Sequence, residues 1–235
     1  ARATGIVLAS ELRECGIDFS FAPVVDLGPD NRAIGARAFH RDPKVVQRLA
    51  VQLAGGMALS GMRPVAKHFP GHGGVREDPH DELPCDERSL DSLREHDLGV
   101  YEHLETGVFT GVMTCHVLFP EIDPVPATLS RKLITDELRG RIGFRGPVFS
   151  DDLMMEALGA YGEVSSLARS AIEAGCDMAL LCNNDAVTDL VIARDDFPSF
   201  TEDARLRLES MRPAQDALPD TLTVEQAREE IRRYT

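Results

Sequence analysis

Residues 63–84 read RPVAKHFPGHGGVREDPHDELP. The first seven residues predict a short buried strand, and the glycines, prolines and acids that follow predict a loop. The stretch carries three histidines, His68, His72 and His80, together with Asp78. A buried strand that runs directly into a polar loop is the pattern from which we predict the fold.

The same pattern recurs along the chain. Apolar runs predict strands within residues 17–27, 63–69, 111–117, 146–152 and 176–182, and helical periodicity predicts helices within 1–15, 43–60, 89–104, 131–142, 163–174 and from 185 onward. This alternation predicts a parallel sheet whose strands are buried on both faces. The strands end in polar residues, namely Asp26, Lys67-His68, His116, Ser150-Asp151-Asp152 and Asn183-Asn184. Barrel enzymes carry their active sites at these carboxyl ends.

We therefore predict an α/β fold, the (β/α)8 TIM-type barrel, with only about five of its eight strands in this chain. Residues 1–198 would form five βα units, and residues 199–235 would form charged helices packed on the barrel. An open five-stranded sheet is the alternative. The chain starts inside a helix, which favours a barrel whose first three strands lie outside this sequence.

Composition narrows the possible partners. The chain has 39 Asp and Glu against 25 Lys and Arg, a net charge of −14, which argues against a nucleic-acid or anionic-membrane surface. No apolar run approaches the roughly 20 residues that cross a bilayer, and no signal segment opens the chain. The five cysteines lack CxxC spacing and fit reduced thiols. We expect a cytoplasmic protein.

Two of the polar segments predict a proton-transfer pair and a nucleophile. Asp78-Pro79-His80 places a carboxylate two residues before an imidazole, so that Asp78 can fix the tautomer of His80. Asp151 ends the fourth predicted strand and would face that loop. A carboxylate opposite an acid/base imidazole suits double displacement at an anomeric carbon. Asp152 fits a helix N-cap.

Other functions remain open at this point. His68, His72, Asp78 and His80 offer the side chains that bind zinc, iron or manganese, as in a metal-dependent hydrolase. Pro and Gly between the first two histidines are unfavourable for that, and we predict no metal. An imidazole acid/base would also tolerate phosphate as the acceptor, as in a glycoside phosphorylase. A sugar-binding remnant without activity is the non-enzymatic alternative.

Six segments together resemble one enzyme family, glycoside hydrolase family 3, and within it the bacterial β-N-acetylglucosaminidases of peptidoglycan recycling. They are FAPVVDL (21–27), AIGARAFHRDP (33–43), KHFPGHGGVREDPH (67–80), HVLFPEIDPVPA (116–127), GFRGPVFSDDLMMEA (143–157) and AGCDMALLCNN (174–184). KHFPGHG followed by D-x-H is typical of these enzymes, whereas the wider family uses a Glu acid/base elsewhere. A strand-end motif that precedes the first helix in the family is not found in this sequence.

The resemblance implies a role for each matching residue. Asp151 would be the nucleophile, His80 the general acid/base and Asp78 its partner, while Arg37, Lys67 and His68 would bind the sugar hydroxyls. It implies a retaining exo-glycosidase that removes terminal β-linked N-acetylglucosamine from muropeptides such as GlcNAc-anhydroMurNAc-peptides. It also implies a monomer without a cofactor. His72 is given no chemistry and would shape the loop.

Overall fold

The computed structural model describes residues 1–28, 31–102, 107–194, 198–199, 201–213 and 223–234. In chain order the regular elements are α1 (Arg2–Glu14), β1 (Phe19–Ser20), α2 (Pro43–Leu59), β2 (Arg63–Phe69), α3 (Leu90–Glu95), β3 (Gly111–Thr114), a π-type helix (Lys132–Arg141), β4 (Val148–Asp152), α4 (Val164–Ala174), β5 (Met178–Leu180), α5 (Asp185–Ile192), α6 (Glu202–Glu209) and α7 (Val224–Arg232). Short 3₁₀ turns occupy Gly35–Arg37, Leu98–Val100, Ala127–Leu129 and Glu156–Tyr161.

The five strands form one parallel sheet in the order β1-β2-β3-β4-β5. Each strand therefore pairs with its successor in the chain, for example Val112 with Val148 and Phe149 with Met178. Sequential parallel pairing with a helical segment between most strands is the connectivity of a (β/α)8 barrel. The predicted fold class, a TIM-type barrel represented by five of its strands, is confirmed.

Most predicted elements lie where the sequence pattern put them, and β2 matches residue for residue. The predicted cap of α2 is present, since the Asp42 carboxylate accepts a hydrogen bond of 2.8 Å from the Lys44 amide. The first strand is much shorter than predicted. Pro23 has no amide hydrogen for a regular ladder, although its carbonyl and that of Ala22 still accept from the β2 amides of Lys67 and Val65.

The predicted helix 89–104 is also shorter, because α3 ends at Glu95. The following residues turn inward so that the buried Asp97 carboxylate accepts a hydrogen bond of 2.7 Å from Arg88. Residues 103–104 of that prediction lie outside the described residues. The predicted helical stretch 199–235 contains α6 and α7, and its residues 200, 214–222 and 235 also lie outside the described part.

Both faces of the sheet are covered. On one face Ala66, Val112 and Val148 join the large core that the surrounding helices complete. On the other face Val65, Met113 and Phe149 pack with residues from β1, β5 and α6. None of the described helices is both long enough and apolar enough to span a membrane.

Two glycines allow close contact between α1 and α2. A Cβ atom on Gly5 would lie 2.1 Å from the Leu53 carbonyl oxygen, and one on Gly56 would lie 2.2 Å from the Arg2 carbonyl oxygen. The neighbouring Gly55, also within α2, has no atom within 4 Å of that position. The two adjacent glycines of α2 therefore face very different surroundings.

This contrast predicts opposite effects for the same substitution. Gly55→Ala should stabilise the fold by up to about 1 kcal/mol, because alanine favours the helix. Gly56→Ala should destabilise it by about 1–3 kcal/mol, because the methyl group would push α1 from α2. Urea unfolding midpoints of the two variants measure both. Equal shifts would contradict the packing of α1 on α2.

Candidate active site

A cavity of about 180 Å³ lies at the carboxyl ends of β2 and β4. Its lining includes five of the six predicted site residues, Arg37, Lys67, His68, His80 and Asp151. The remaining residue, Asp78, contacts His80. A larger cavity of about 500 Å³ near Asp177 lies at the amino ends of the strands. We place the candidate site in the smaller cavity, because it alone of the two gathers imidazoles, a carboxylate and cations at the carboxyl ends.

His80 and Asp78 form a hydrogen-bonded pair. The ring Nδ1 of His80 lies 2.7 Å from the Asp78 Oδ1, which also accepts a 3.0 Å hydrogen bond from the His80 amide. Slight burial raises the pKa of Asp78. The hydrogen bonds from His80 lower it by more, so the pKa lies below the ordinary value. The ionised carboxylate can only accept. Nδ1 therefore carries a hydrogen, and Nε2 is the nitrogen available for proton transfer.

Asp26 holds a second imidazole of the site, that of His68. Its buried carboxylate accepts hydrogen bonds from the His68 ring Nδ1 (2.6 Å), the His68 amide (3.2 Å) and the His72 amide (2.8 Å). Burial raises the pKa of Asp26, but the interactions with His68 and His72 outweigh it and leave the pKa below the ordinary value. The sequence places Asp26 at the end of a predicted strand, and that position is the signal that could have marked it as a site residue.

Close packing fixes the loop that follows β2. The Asn31 side-chain nitrogen donates hydrogen bonds of 2.7 Å to the carbonyls of His72 and Val75. A Cβ atom on Gly73 would lie 2.2 Å from the Leu27 carbonyl oxygen, and one on Gly74 would lie 2.2 Å from the Arg88 guanidinium. The glycines of KHFPGHGG thus let the loop lie directly on its neighbours.

Asp151 is the penultimate residue of β4 and shares the cavity with two cationic side chains. Its Oδ1 accepts a 2.8 Å hydrogen bond from the amide of Asp152. Burial lowers the pKa of Lys67, the charge of Asp151 opposes that effect, and Arg37 adds to it. Lys67 is thus electrostatically coupled to both residues. The prediction that Asp152 caps a helix is wrong, because the next helical turn begins at Glu156 with Met155 at the N-cap. Asp152 instead accepts from the amides of Met154 and Cys182, which ties the end of β4 to its neighbours.

The histidines of the loop do not converge on one point. His68 is paired with Asp26 and His80 with Asp78. Across the described part of the chain, no group of three His, Cys, Asp or Glu side chains is arranged to hold a metal ion. The geometry instead places a carboxylate, a hydrogen-bonded His–Asp pair and N–H donors around one cavity.

We predict that Asp26→Asn destabilises the fold at neutral pH by about 1–3 kcal/mol, because an amide cannot accept all the hydrogen bonds from the loop. The pKa of Asp26 is lower in the folded state, so its ionisation stabilises the fold above the ordinary pKa of 3.8. That contribution is lost as the pH falls through the lower folded pKa. The difference between wild type and variant in urea unfolding should therefore shrink below pH 3.8.

The exposed carboxylate of Asp18 provides the control, and Asp18→Asn should change the free energy of unfolding by less than about 0.5 kcal/mol. An Asp26→Asn variant as stable as wild type at pH 7 would show that Asp26 does not hold the loop.

Comparisons with known proteins show which family the chain resembles. Residues 1–203 match the family described as the glycosyl hydrolase family 3 N-terminal domain. A β-hexosaminidase of Bordetella avium is 46% identical over 221 residues, covering 94% of this chain and 62% of the relative. One from Alkalilimnicola ehrlichii is 47% identical over 213 residues, covering 90% and 61%.

A solved structure extends the likeness to three dimensions. NagZ from Neisseria gonorrhoeae in complex with N-trifluoroacetyl-D-glucosamine is 40% identical, with a TM-score of 0.82 over 98% of this chain and 64% of that chain. The chain thus spans about three fifths of the length of these relatives. The family match and these identities confirm the resemblance in the sequence: the chain belongs to glycosyl hydrolase family 3.

Proposed function

We propose that the protein is a retaining exo-β-N-acetylglucosaminidase. It would remove terminal β-linked N-acetylglucosamine from muropeptides such as GlcNAc-anhydroMurNAc-peptides during cell-wall recycling in the cytoplasm. The observation that carries the proposal is the cavity that His80 and Asp151 share with Arg37, Lys67 and His68. The β-hexosaminidase relatives and the glucosamine derivative bound to NagZ support the class of sugar.

Asp151 acts as the nucleophile in this proposal. Its Oδ1 is held by the Asp152 amide, which leaves Oδ2 available to attack the anomeric carbon. The attack forms a glycosyl-enzyme ester and breaks the bond to the leaving oxygen. Water then displaces Asp151 from the face that the leaving group vacated, so the anomeric configuration is retained.

His80 transfers the proton in both steps. In the first step the imidazolium donates the Nε2 proton to the leaving oxygen, and in the second the neutral ring takes a proton from water at the same nitrogen. Asp78 keeps the Nδ1 hydrogen in place throughout. An imidazole fits beside Asp151, because a second carboxylate would repel it. The His80 side chain is 64% exposed, which allows proton exchange with solvent.

Arg37, Lys67 and His68 bind the sugar ring. Lys67 and Arg37 bring N–H donors to the wall of the cavity, and hydroxyl oxygens accept such bonds. The hydrogen bond to Asp26 fixes the Nδ1 hydrogen of His68, so its Nε2 can accept from a sugar hydroxyl. Donors and an acceptor on one wall suit a ring that carries several hydroxyl groups.

The experiment is release of 4-nitrophenol from its β-N-acetylglucosaminide. We expect Asp151→Ala to lower kcat by about 10⁴-fold or more and His80→Ala to lower it by about 10²–10⁴-fold. Proton NMR of the first sugar released should show the β-anomer. Two proteins are assayed, the 235-residue chain by itself and the same chain fused to the N-terminal strands of a relative.

His96→Ala is the matched control, since His96 is an exposed histidine that does not line the cavity; its kcat should equal that of wild type. A chelator should have no effect. Activity lost to the chelator, or unchanged in Asp151→Ala, would refute the proposal. Formation of a sugar 1-phosphate in phosphate buffer would instead identify a phosphorylase.

A further inference from the structure

His116 lies two residues beyond β3, next to the end of β4, and has no role in the mechanism above. We propose that His116 is a positioning residue for Asp151, acting through the backbone of Asp152; this inference rests on the proposed function. His116 does not line the cavity. Its effect would therefore reach the substrate only through the nucleophile.

A short chain of hydrogen bonds joins the two side chains. The ring Nε2 of His116 lies 2.8 Å from the Asp152 carbonyl oxygen. The amide of the same residue, Asp152, donates to Oδ1 of Asp151 over 2.8 Å. Since a carbonyl oxygen only accepts, Nε2 carries the hydrogen. The contact with His116 thus fixes the residue whose amide orients the nucleophilic carboxylate.

The contact links β3 to β4 beyond their ladder. The register of that strand pair runs to Met113 and Phe149, three residues before Asp152. On the opposite side the amide of Leu180, at the end of β5, donates to the Ser150 hydroxyl. The amide of Cys182, two residues beyond β5, donates to the Asp152 carboxylate. The hydrogen bond from His116 to the Asp152 carbonyl holds the segment from the β3 side, so the end of β4 is fixed between its two neighbouring strands.

The surroundings of His116 keep the ring neutral. The residue is 1% exposed, and this burial lowers its pKa, although the charge of Asp151 acts in the opposite direction. A neutral donor can hold the segment without placing a positive charge beside the nucleophile. Within the described residues Nδ1 is buried and has no hydrogen-bond partner. An apolar side chain would avoid the cost of that buried nitrogen, which argues for a functional use of Nε2.

Three substitutions separate positioning from stability. His116→Leu removes the donor in an apolar side chain and should lower kcat by about 10–100-fold with KM changed less than about twofold. His116→Gln places an amide nitrogen near the position of Nε2 and should restore most of kcat. His116→Asn is too short to reach Asp152 and should behave like His116→Leu, so it replaces that variant where the latter fails to fold.

Thr114→Val is the matched control, because the Thr114 hydroxyl donates a 3.3 Å hydrogen bond to the Phe149 carbonyl between the same two strands and also hydrogen-bonds with the Thr128 hydroxyl. It should lower the unfolding midpoint and leave kcat unchanged. The rate at which a 5-fluoro-glycosyl fluoride labels Asp151 should fall in parallel with kcat in His116→Leu. A fall in kcat no larger than that of Thr114→Val, or no rescue in His116→Gln, would overturn the inference.

Failure of this inference can be distinguished from failure of the proposed function. Wild-type protein with no turnover and no labelling of Asp151 would refute the proposed function. Crystal structures of wild type and His116→Asn then test the positioning role by itself. A carboxylate of Asp151 that is displaced in His116→Asn would still support the positioning role. A carboxylate that stays in place would overturn it.

Discussion

The buried carboxylate of Asp26 is the constraint on which the site depends. It accepts hydrogen bonds from both the backbone and the ring of His68, and from the backbone of His72, so one side chain fixes the start of the loop after β2. A buried carboxylate is tolerated only when its oxygens are hydrogen-bonded. The loop therefore keeps the conformation that satisfies Asp26, and that conformation carries the rest of the loop toward Asp151.

The same chemical pair occurs twice in the site, in two environments. His68 with Asp26 is nearly inaccessible, with side-chain exposures of 8% and 0%, whereas His80 with Asp78 is exposed at 64% and 28%. A buried pair has a fixed geometry, which suits a residue that orients a ligand. An exposed pair exchanges protons with water, which suits an acid/base. The environment, more than the residue types, separates the two proposed roles.

The polar side chains at the two ends of the sheet have different partners. At the amino ends, Asp177 accepts hydrogen bonds from Arg139 and from Arg207, and the latter anchors α6 beneath the strands. These groups satisfy one another and hold the fold together. At the carboxyl ends the polar groups of Lys67, His80 and Asp151 face a cavity. This division is the one expected of a parallel barrel, because loops at the carboxyl ends vary without disturbing the core.

The sequence alone determined the parallel sheet and the bounds of β2, because unbroken apolar runs are local signals. The resemblance of its motifs to a family predicted most of the residues that line the cavity. The sequence missed the early ends of β1 and α3. β1 ends early because Pro23 lacks an amide hydrogen for the ladder, and α3 ends early because the buried Asp97 carboxylate turns inward to accept from Arg88. Only the tertiary structure decided the use of Asp26 and the contact of His116 with Asp152. Both contacts join residues 36 or more positions apart, so the strand-end positions of Asp26 and His116 do not specify their partners.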